Sequence, residues 1–376
     1  MHRKMIIVLL SLLIIASMVG CAAPAPSPTP APSPAPAPAP TPAPSPTPAP
    51  SPAPAEAPEV IEWTGQCHDP SGTNTYKAYE RFCKNVSEAS GGRLVLKLNP
   101  GGGIVPSMDE FNAIDKHLLD FASLPPFYWQ DKWPEAGMFG YTIGGLSAME
   151  TLFWYEDGGG LELMRNMIEG YNVVPIPAFL QPPELYMGSN RELKSMADLE
   201  GLKMRTAGDD ASILSAMGVS VTGISVGEVY ESMQRGVIDA YQIGSPSADL
   251  GFAMQEDTKY MYLSPARQPT TTWCDGVNTD AWEELPDDLK LLFTEMRRAE
   301  GVRFYGETLA MDIAAVDELK GYGVILTPIP KDIEDETYKL AEEFYAEKSA
   351  ADPNFAETYN SIKDFQTAYR EAWQRL

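Results

Sequence analysis

Cysteine and histidine are scarce in this chain: four and three among 376 residues. Cys21, Cys67, Cys83 and Cys274 include no C-x-x-C pair, so neither a zinc site nor a thiol redox motif is spelled out. Nucleophilic catalysis is also short of parts. A nucleophile needs a positioned base, and only His68 and His117 lie beyond the first few residues. No phosphate loop is present either. Basic residues are few as well, 28 against 52 acidic, for a formal charge of −24. Such a surface repels nucleic acid and anionic membranes, and any site for an anion must supply its own local cation. After the first twenty residues no run is apolar enough to span a bilayer.

What is present begins with an address. Arg3 and Lys4 form a basic n-region, Met5 to Met18 an apolar h-region, and Val19-Gly20-Cys21 resembles a bacterial lipobox. Residues 1–20 therefore read as a signal peptide, too short and wrongly flanked for a membrane span. Ala22 to Pro54 is almost wholly Pro, Ala, Ser and Thr. Proline at this density favours an extended polyproline-II spacer, with a reach of about 100 Å at ~3.1 Å per residue. Residues 21–58 are thus expected to be a linker. The remaining ~320 residues are too many for one compact core and fit two lobes. The three later cysteines permit a Cys67–Cys83 disulfide and leave at least one thiol free.

A coarse reading of that part alternates strands and helices, which is the pattern of an α/β fold. Val60 to Thr64 and Leu94 to Leu98 read as strands around a helix with Tyr76, Tyr79, Phe82, Cys83 and Val86 on one face. Met108 to Leu119 reads as helical, and Phe121 to Leu124 as a strand ending in the cluster Pro125-Pro126-Phe127-Tyr128-Trp129. Ser147 with Glu150 forms a capping box. Val173 to Ala178 is a β-branched strand leading through Glu184 into a second lobe, and the chain crosses back around Arg267 to Val277. Pro286 opens a long helix to about Leu319. The C-terminal part is helical and broken near Asp352-Pro353. Its stripe of Phe355, Tyr359, Phe365, Tyr369 and Trp373 is core or a subunit contact.

The densest pattern runs from Leu193 to Pro246. Ser195 with Asp198 caps one turn that Gly201 closes, and Leu202 to Thr206 is a short strand ending on a single cation, Arg205. A helix over Ala211 to Met217 stops at Gly218. Val219 to Ile224 follows as a strand, then a Ser225/Glu228 capping box opens a helix through Gln234. Gly236 turns into a third strand with Val237, Ile238 and Ala240. This order brings Arg205 and the Tyr241-Gln242-Ile243 segment to strand ends facing one crevice, where α/β sheets bind ligands. On the residues alone, Arg205 could equally be a surface cation pairing with Asp209 or Asp210.

Four runs in this order and spacing, FYWQDKWPEAGMFG, YEDGGGLEL, ADL-x-GLKMR and GEVY-x-x-x-QRGVIDA, resemble the solute-binding proteins of tripartite ATP-independent periplasmic (TRAP) transporters. Within them the pattern is closest to the oxo-acid-binding group. The resemblance covers nearly everything after about residue 60. It implies a two-lobed periplasmic-binding-protein fold with a long lobe-spanning helix: lobe I at 59–182, lobe II at 183–270, and a return to lobe I with the spanning and C-terminal helices at 271–376. It implies capture of a small oxo- or hydroxy-carboxylate for the TRAP membrane subunits, without catalysis. A homodimer is open, and so are a ligand sensor for a membrane signalling partner and an extracellular hydrolase. Cys21 would become the lipid-bearing residue that anchors the protein outside the cytoplasm.

Residue by residue, the resemblance makes Arg205 the two-point partner of the substrate carboxylate, because a guanidinium fork matches a carboxylate plane. Tyr128 and Trp129 would line the first-lobe wall of the cleft, their alternative being core packing. Asn190 and Arg191 match a polar pair of other relatives. Glu228 and Asp239 also match family positions, but a helix cap and a turn explain them. In oxo-acid-binding relatives a cation can bridge substrate and protein. Here its positions carry Glu184, Gln242 and Gln268, the last through a one-residue insertion around Ser245 to Ala253. Acid and amide have changed places, which means either a Na⁺ or Ca²⁺ site with one protein carboxylate or loss of that site. Ile243 stands where an aromatic is usual and opens the pocket to a ligand bulkier than pyruvate.

Overall fold

The computed structural model of the protein describes residues 59–374, apart from Ser225. The signal peptide, Cys21, the linker and the expected Ser225 cap lie outside the described residues, as does the Trp373 side chain.

Two mixed sheets carry the fold. Strands β1 (Ile61–Gln66), β2 (Leu94–Asn99), β3 (Phe121–Leu124) and β4 (Val173–Gln181) come first in the chain. After them come β5 (Leu185–Ser189), β6 (Lys203–Arg205), β7 (Ser220–Thr222), β8 (Ala240–Tyr241), β9 (Tyr260–Leu263), β10 (Thr271–Asn278) and β11 (Ile325–Pro328). The first sheet has the order β2-β1-β3-β10-β4, the second β11-β9-β5-β8-β6-β7. In the first, β1 runs parallel to β2 and β3, while β10 is antiparallel to both neighbours. In the second, β6 is parallel to β7 and β8, and β5 is antiparallel to β8 and β9.

The chain passes between the sheets three times. Residues 182–184 join β4 to β5, and residues 264–270 join β9 to β10. Third comes the 35-residue helix Asp287–Gly321, which leaves the first sheet and delivers β11 to the second. Within residues 271–376, β11 belongs to the second sheet because it pairs in parallel with β9. The long helix is fixed to the first sheet by Arg297, whose guanidinium grips Asp275 of β10, both side chains fully buried. Removing one partner of such a pair leaves a bare charge in the core, which costs about 3–5 kcal/mol.

Local chemistry explains most element ends. Both expected capping boxes among the described residues form, at Ser147/Glu150 and at Ser195/Asp198. The helix expected over Met108 to Leu119 is only Glu110–Asp115. Met108 and His117 sit at φ 82° and 53°, a left-handed backbone that a helix cannot propagate through. The strand expected from Val237 pairs only at Ala240–Tyr241, and Val237 is exposed. The C-terminal helices Lys331–Ala351 and Pro353–Gln374 break at Asp352, whose Oδ1 accepts from the amides of Asn354 and Phe355. Phe355 is buried in the large core cluster, with Tyr359 and Phe365 packed against it, so that part of the stripe is core.

Cys67, Cys83 and Cys274 are buried free thiols, and no Cys67–Cys83 disulfide forms. Burial pushes the Cys67 thiol up to about 12, so it is an inert core group.

Candidate functional site

Arg205 ends β6, which lies between β7 and β8 in the second sheet. Its Nε donates to Ile224 O at 3.0 Å and its Nη1 to Gln242 O. Those carbonyls lie just past the ends of β7 and β8, so the neighbouring strands hold the guanidinium from both sides. The residue is 8% exposed, and no described carboxylate lies within 4 Å of it. Desolvation lowers its pKa, while the fields of Tyr128, Glu184 and Tyr141 favour its charge. Arginine keeps its proton in proteins, so this is a buried cation without a contacting anion.

The acids that a surface Arg205 would choose are engaged elsewhere. They open the helix Asp209–Ala216. Asp210 takes Arg267 Nη1 on both carboxylate oxygens at 2.8 Å, and Arg267 Nη2 donates to Leu185 O at 3.0 Å. Tyr141 donates its hydroxyl to Asp210 at 3.1 Å, and Gln130 Nε2 donates to Asp209 at 2.8 Å. The segment that follows β3 is thereby bonded to a helix of the second sheet. Arg267, Gln130 and Tyr141 were not singled out as site residues from sequence, and Asp210 only as an alternative partner of Arg205. Gln130 lies inside the aromatic run and Tyr141 directly after it, but only the fold aims them at Asp209 and Asp210.

Tyr128 faces this region from the first-sheet side. Its ring stacks on His68 at 5.2 Å, and its hydroxyl is raised by burial, an effect that Arg205 opposes and that Asp69 and Glu184 reinforce. Trp129 corrects the expectation of a second cleft aromatic. It is buried among Phe111 and Trp133, at 5.0 and 6.1 Å. The 3₁₀ turn Pro126–Trp129 sends consecutive side chains to different sides, one to the cleft and one to the core. Ile243 is half-buried against the second sheet's cluster of Leu185, Val229 and Met233. Arg191 is an exposed surface cation 3.9 Å from Asp239.

The three residues expected around a cation separate into a pair and an outlier. Glu184 and Gln268 lie on the two short crossings, joined when Glu184 N donates to Gln268 O at 3.4 Å. Thr271 links their side chains: its Oγ1 accepts from Gln268 Nε2 at 2.7 Å and donates to Glu184 Oε1 at 2.8 Å. Burial raises the Glu184 carboxyl, while Arg267 and the Thr271 bond hold it down. Gln242 departs from the expectation. Thr206 donates to its Oε1, and its Nε2 donates to Tyr186 O at 2.9 Å, so the amide is turned into the sheet. Its main-chain carbonyl instead serves Arg205. One carboxylate with a neighbouring amide is the oxygen chemistry a weakly held Na⁺ or Ca²⁺ accepts.

Residues 65–352 match the model of the bacterial extracellular solute-binding protein family 7, DctP. The chain belongs to that family. A monocarboxylate 2-oxoacid-binding periplasmic protein of Nostoc sp. is 25% identical over 316 residues, covering 84% of this chain and 86% of the relative. A TRAP periplasmic solute-binding protein from Colwellia psychrerythraea, solved with bound calcium and pyruvate, superposes with a TM-score of 0.80 at 26% identity, covering 84% of this chain and 96% of that one. One from Pseudoalteromonas atlantica, with sodium and pyruvate, gives 0.79 at 25%, covering 84% and 97%. This DctP protein is therefore a two-lobed extracellular solute receptor of the TRAP type. None of its described helices is long and apolar enough to cross a membrane.

Burial of Asp209 carries a pH signature, which its bond from Gln130 only partly offsets. Burial pushes the Asp209 carboxyl up from 3.8 to about 6. The folded protein then binds this proton at higher pH than the unfolded chain. Stability from this group falls as pH rises from about 4 to about 6 and is level above, by about 3 kcal/mol in all. Asp209→Asn should remove that slope. Urea denaturation of both proteins between pH 4 and 7 measures the difference, and parallel curves would rule the assignment out.

Proposed function

We propose that this DctP protein captures a small 2-oxo- or 2-hydroxy-carboxylate outside the cytoplasm and presents it to TRAP membrane subunits. The observation carrying the proposal is Arg205: a buried guanidinium held by two carbonyls and given no contacting carboxylate. A carboxylate ligand supplies the missing charge, and Tyr128 closes the other side of the cleft. The relatives with pyruvate or a 2-oxoacid in their descriptions support this ligand class. Ile243, standing where the resemblance has an aromatic, supports an acid larger than pyruvate. Arg205→Ala should stay folded and lose about 30- to several-thousand-fold in affinity for such an acid, ~2–5 kcal/mol, while Arg205→Lys recovers only part. Calorimetry placing Arg205→Ala within about threefold of wild type would sink the reading.

Glu184 and Gln268 are the residues that would hold a bridging cation, whose role is to screen the ligand carboxylate from Glu184. Titrations after chelation, and then with Na⁺ or Ca²⁺ restored, should show ion-dependent affinity that Glu184→Ala abolishes. Equal affinity in all three buffers would leave Glu184 as an ordinary polar residue.

We read the protein as a receptor without a catalytic step. His68 is packed between Tyr128 and Trp273, and His117 is bonded to Asp120 at 3.1 Å. The lipobox-like Val19-Gly20-Cys21 supports a lipid anchor at Cys21, with residues 22–58 as its tether. Cells fed labelled palmitate should label the wild type and not Cys21→Ala; label retained by the variant would place the anchor elsewhere.

A further inference from the structure

The helices Lys331–Ala351 and Pro353–Gln374 meet at the break at Asp352, and Tyr345 of the first stacks on Tyr359 of the second with ring centroids 5.0 Å apart. Side chains three and four residues apart share a helix face. Tyr338 and Glu342 therefore stand on the face of Tyr345, and Lys363 on the face of Tyr359. With the loop at 142–145 these residues line a cavity of about 310 Å³, a volume within the range of small-molecule sites. The cavity is not the cleft. Ala266 and Pro269 of the second crossing help to line it, but the side chains between them turn away, Arg267 to Asp210 at 2.8 Å and Gln268 to Thr271 at 2.7 Å. Arg205, Tyr128 and Glu184 take no part in the lining.

The walls of this cavity offer one uncommitted charge of each sign. Arg370 also reaches it, but Glu150 neutralises that guanidinium, accepting from Nε at 2.8 Å and from Nη2 at 3.1 Å. Lys363 has only the side-chain carbonyl of Gln366, at 3.4 Å. Glu342 has no side-chain hydrogen bond or ion pair among the described residues, and it lies close enough to Tyr359 to reinforce the rise that burial gives that hydroxyl. Although both line one cavity, Lys363 and Glu342 do not approach within 4 Å of each other. A bare anion would satisfy Lys363 but be repelled by Glu342 and by a chain of net charge −24. A zwitterion satisfies both groups and meets no long-range repulsion. The rings of Tyr338, Tyr345 and Tyr359 on the same faces suit a large apolar body.

We propose that this cavity is a second ligand site, separate from the cleft, and that it takes a free amino acid with a large apolar side chain. Lys363 receives the ligand carboxylate, Glu342 receives its ammonium group, and the tyrosine rings hold its side chain. The volume admits one amino acid and excludes a longer peptide. None of this depends on what Arg205 binds.

The test is calorimetry on the full chain in detergent, with L-phenylalanine as the probe. Wild type should bind it with a Kd below about 1 mM. 3-Phenylpropionate lacks the ammonium group and phenethylamine lacks the carboxylate. Each should bind about tenfold or more weaker, because each leaves one charge-assisted bond unmade. Lys363→Met and Glu342→Gln should each weaken L-phenylalanine by about the same factor, with unchanged circular dichroism spectra. Arg205→Ala should bind L-phenylalanine within about threefold of wild type, which separates this site from the cleft. A wild-type chain that binds none at about 10 mM overturns the proposal. So does an Arg205→Ala loss as large as that of Lys363→Met, which would put the amino acid in the cleft. Equal binding of 3-phenylpropionate and L-phenylalanine, or either charge variant within about threefold of wild type, overturns it as well.

Discussion

Arg205 is buried with two carbonyl partners and, among the described residues, no contacting carboxylate, and much of the second sheet is arranged to keep it so. A buried cation is expensive unless it is paired. Here the cost is deferred to a ligand, because the acids that follow it in the chain are used up. Asp210 is taken by Arg267 and Tyr141, and Asp209 by Gln130. The acidic surface makes the same point at longer range: a chain of net charge −24 gains an anion site only where it isolates a cation.

The groups that serve the cleft sit where the chain changes sheets. Glu184 lies on the first crossing, Arg267 and Gln268 on the second, and main-chain and Thr271 hydrogen bonds tie the crossings together. A ligand or cation that pulls on Glu184 therefore pulls on the joints between the sheets. Differential contact of that kind is the means by which a ligand shifts a two-lobed protein between arrangements. The long helix is the counterweight. Arg297 and Asp275 pin it to β10, and its C-terminal half reaches Ser245 through Asp312.

Local signals in the sequence specified a large part of this. The capping boxes at Ser147 and Ser195 were readable because a side chain three residues away satisfies the helix end. The cation at the end of β6 stood out because cations are few. The α/β class followed from the alternation of elements. The broken helix at Asp352-Pro353 followed from proline chemistry.

What the sequence left open was each case in which two residues distant in the chain had to meet. Tyr128 and Trp129 are adjacent and equally aromatic, yet a 3₁₀ turn puts one beside His68 and the other beside Phe111. Gln242 matched a ligand position in alignment, but Thr206 and Tyr186 claim its amide. Arg267 looks like any loop arginine until the crossing places it against Asp210. The left-handed Met108 and His117, which cut a helix short, carry no glycine to announce them. By itself the sequence determined the elements, the compartment signals and the one available cation, since these depend on neighbours within a few residues. Only tertiary structure decided which acids that cation would be denied, because hydrogen bonds across 57 to 79 residues of chain are set by packing.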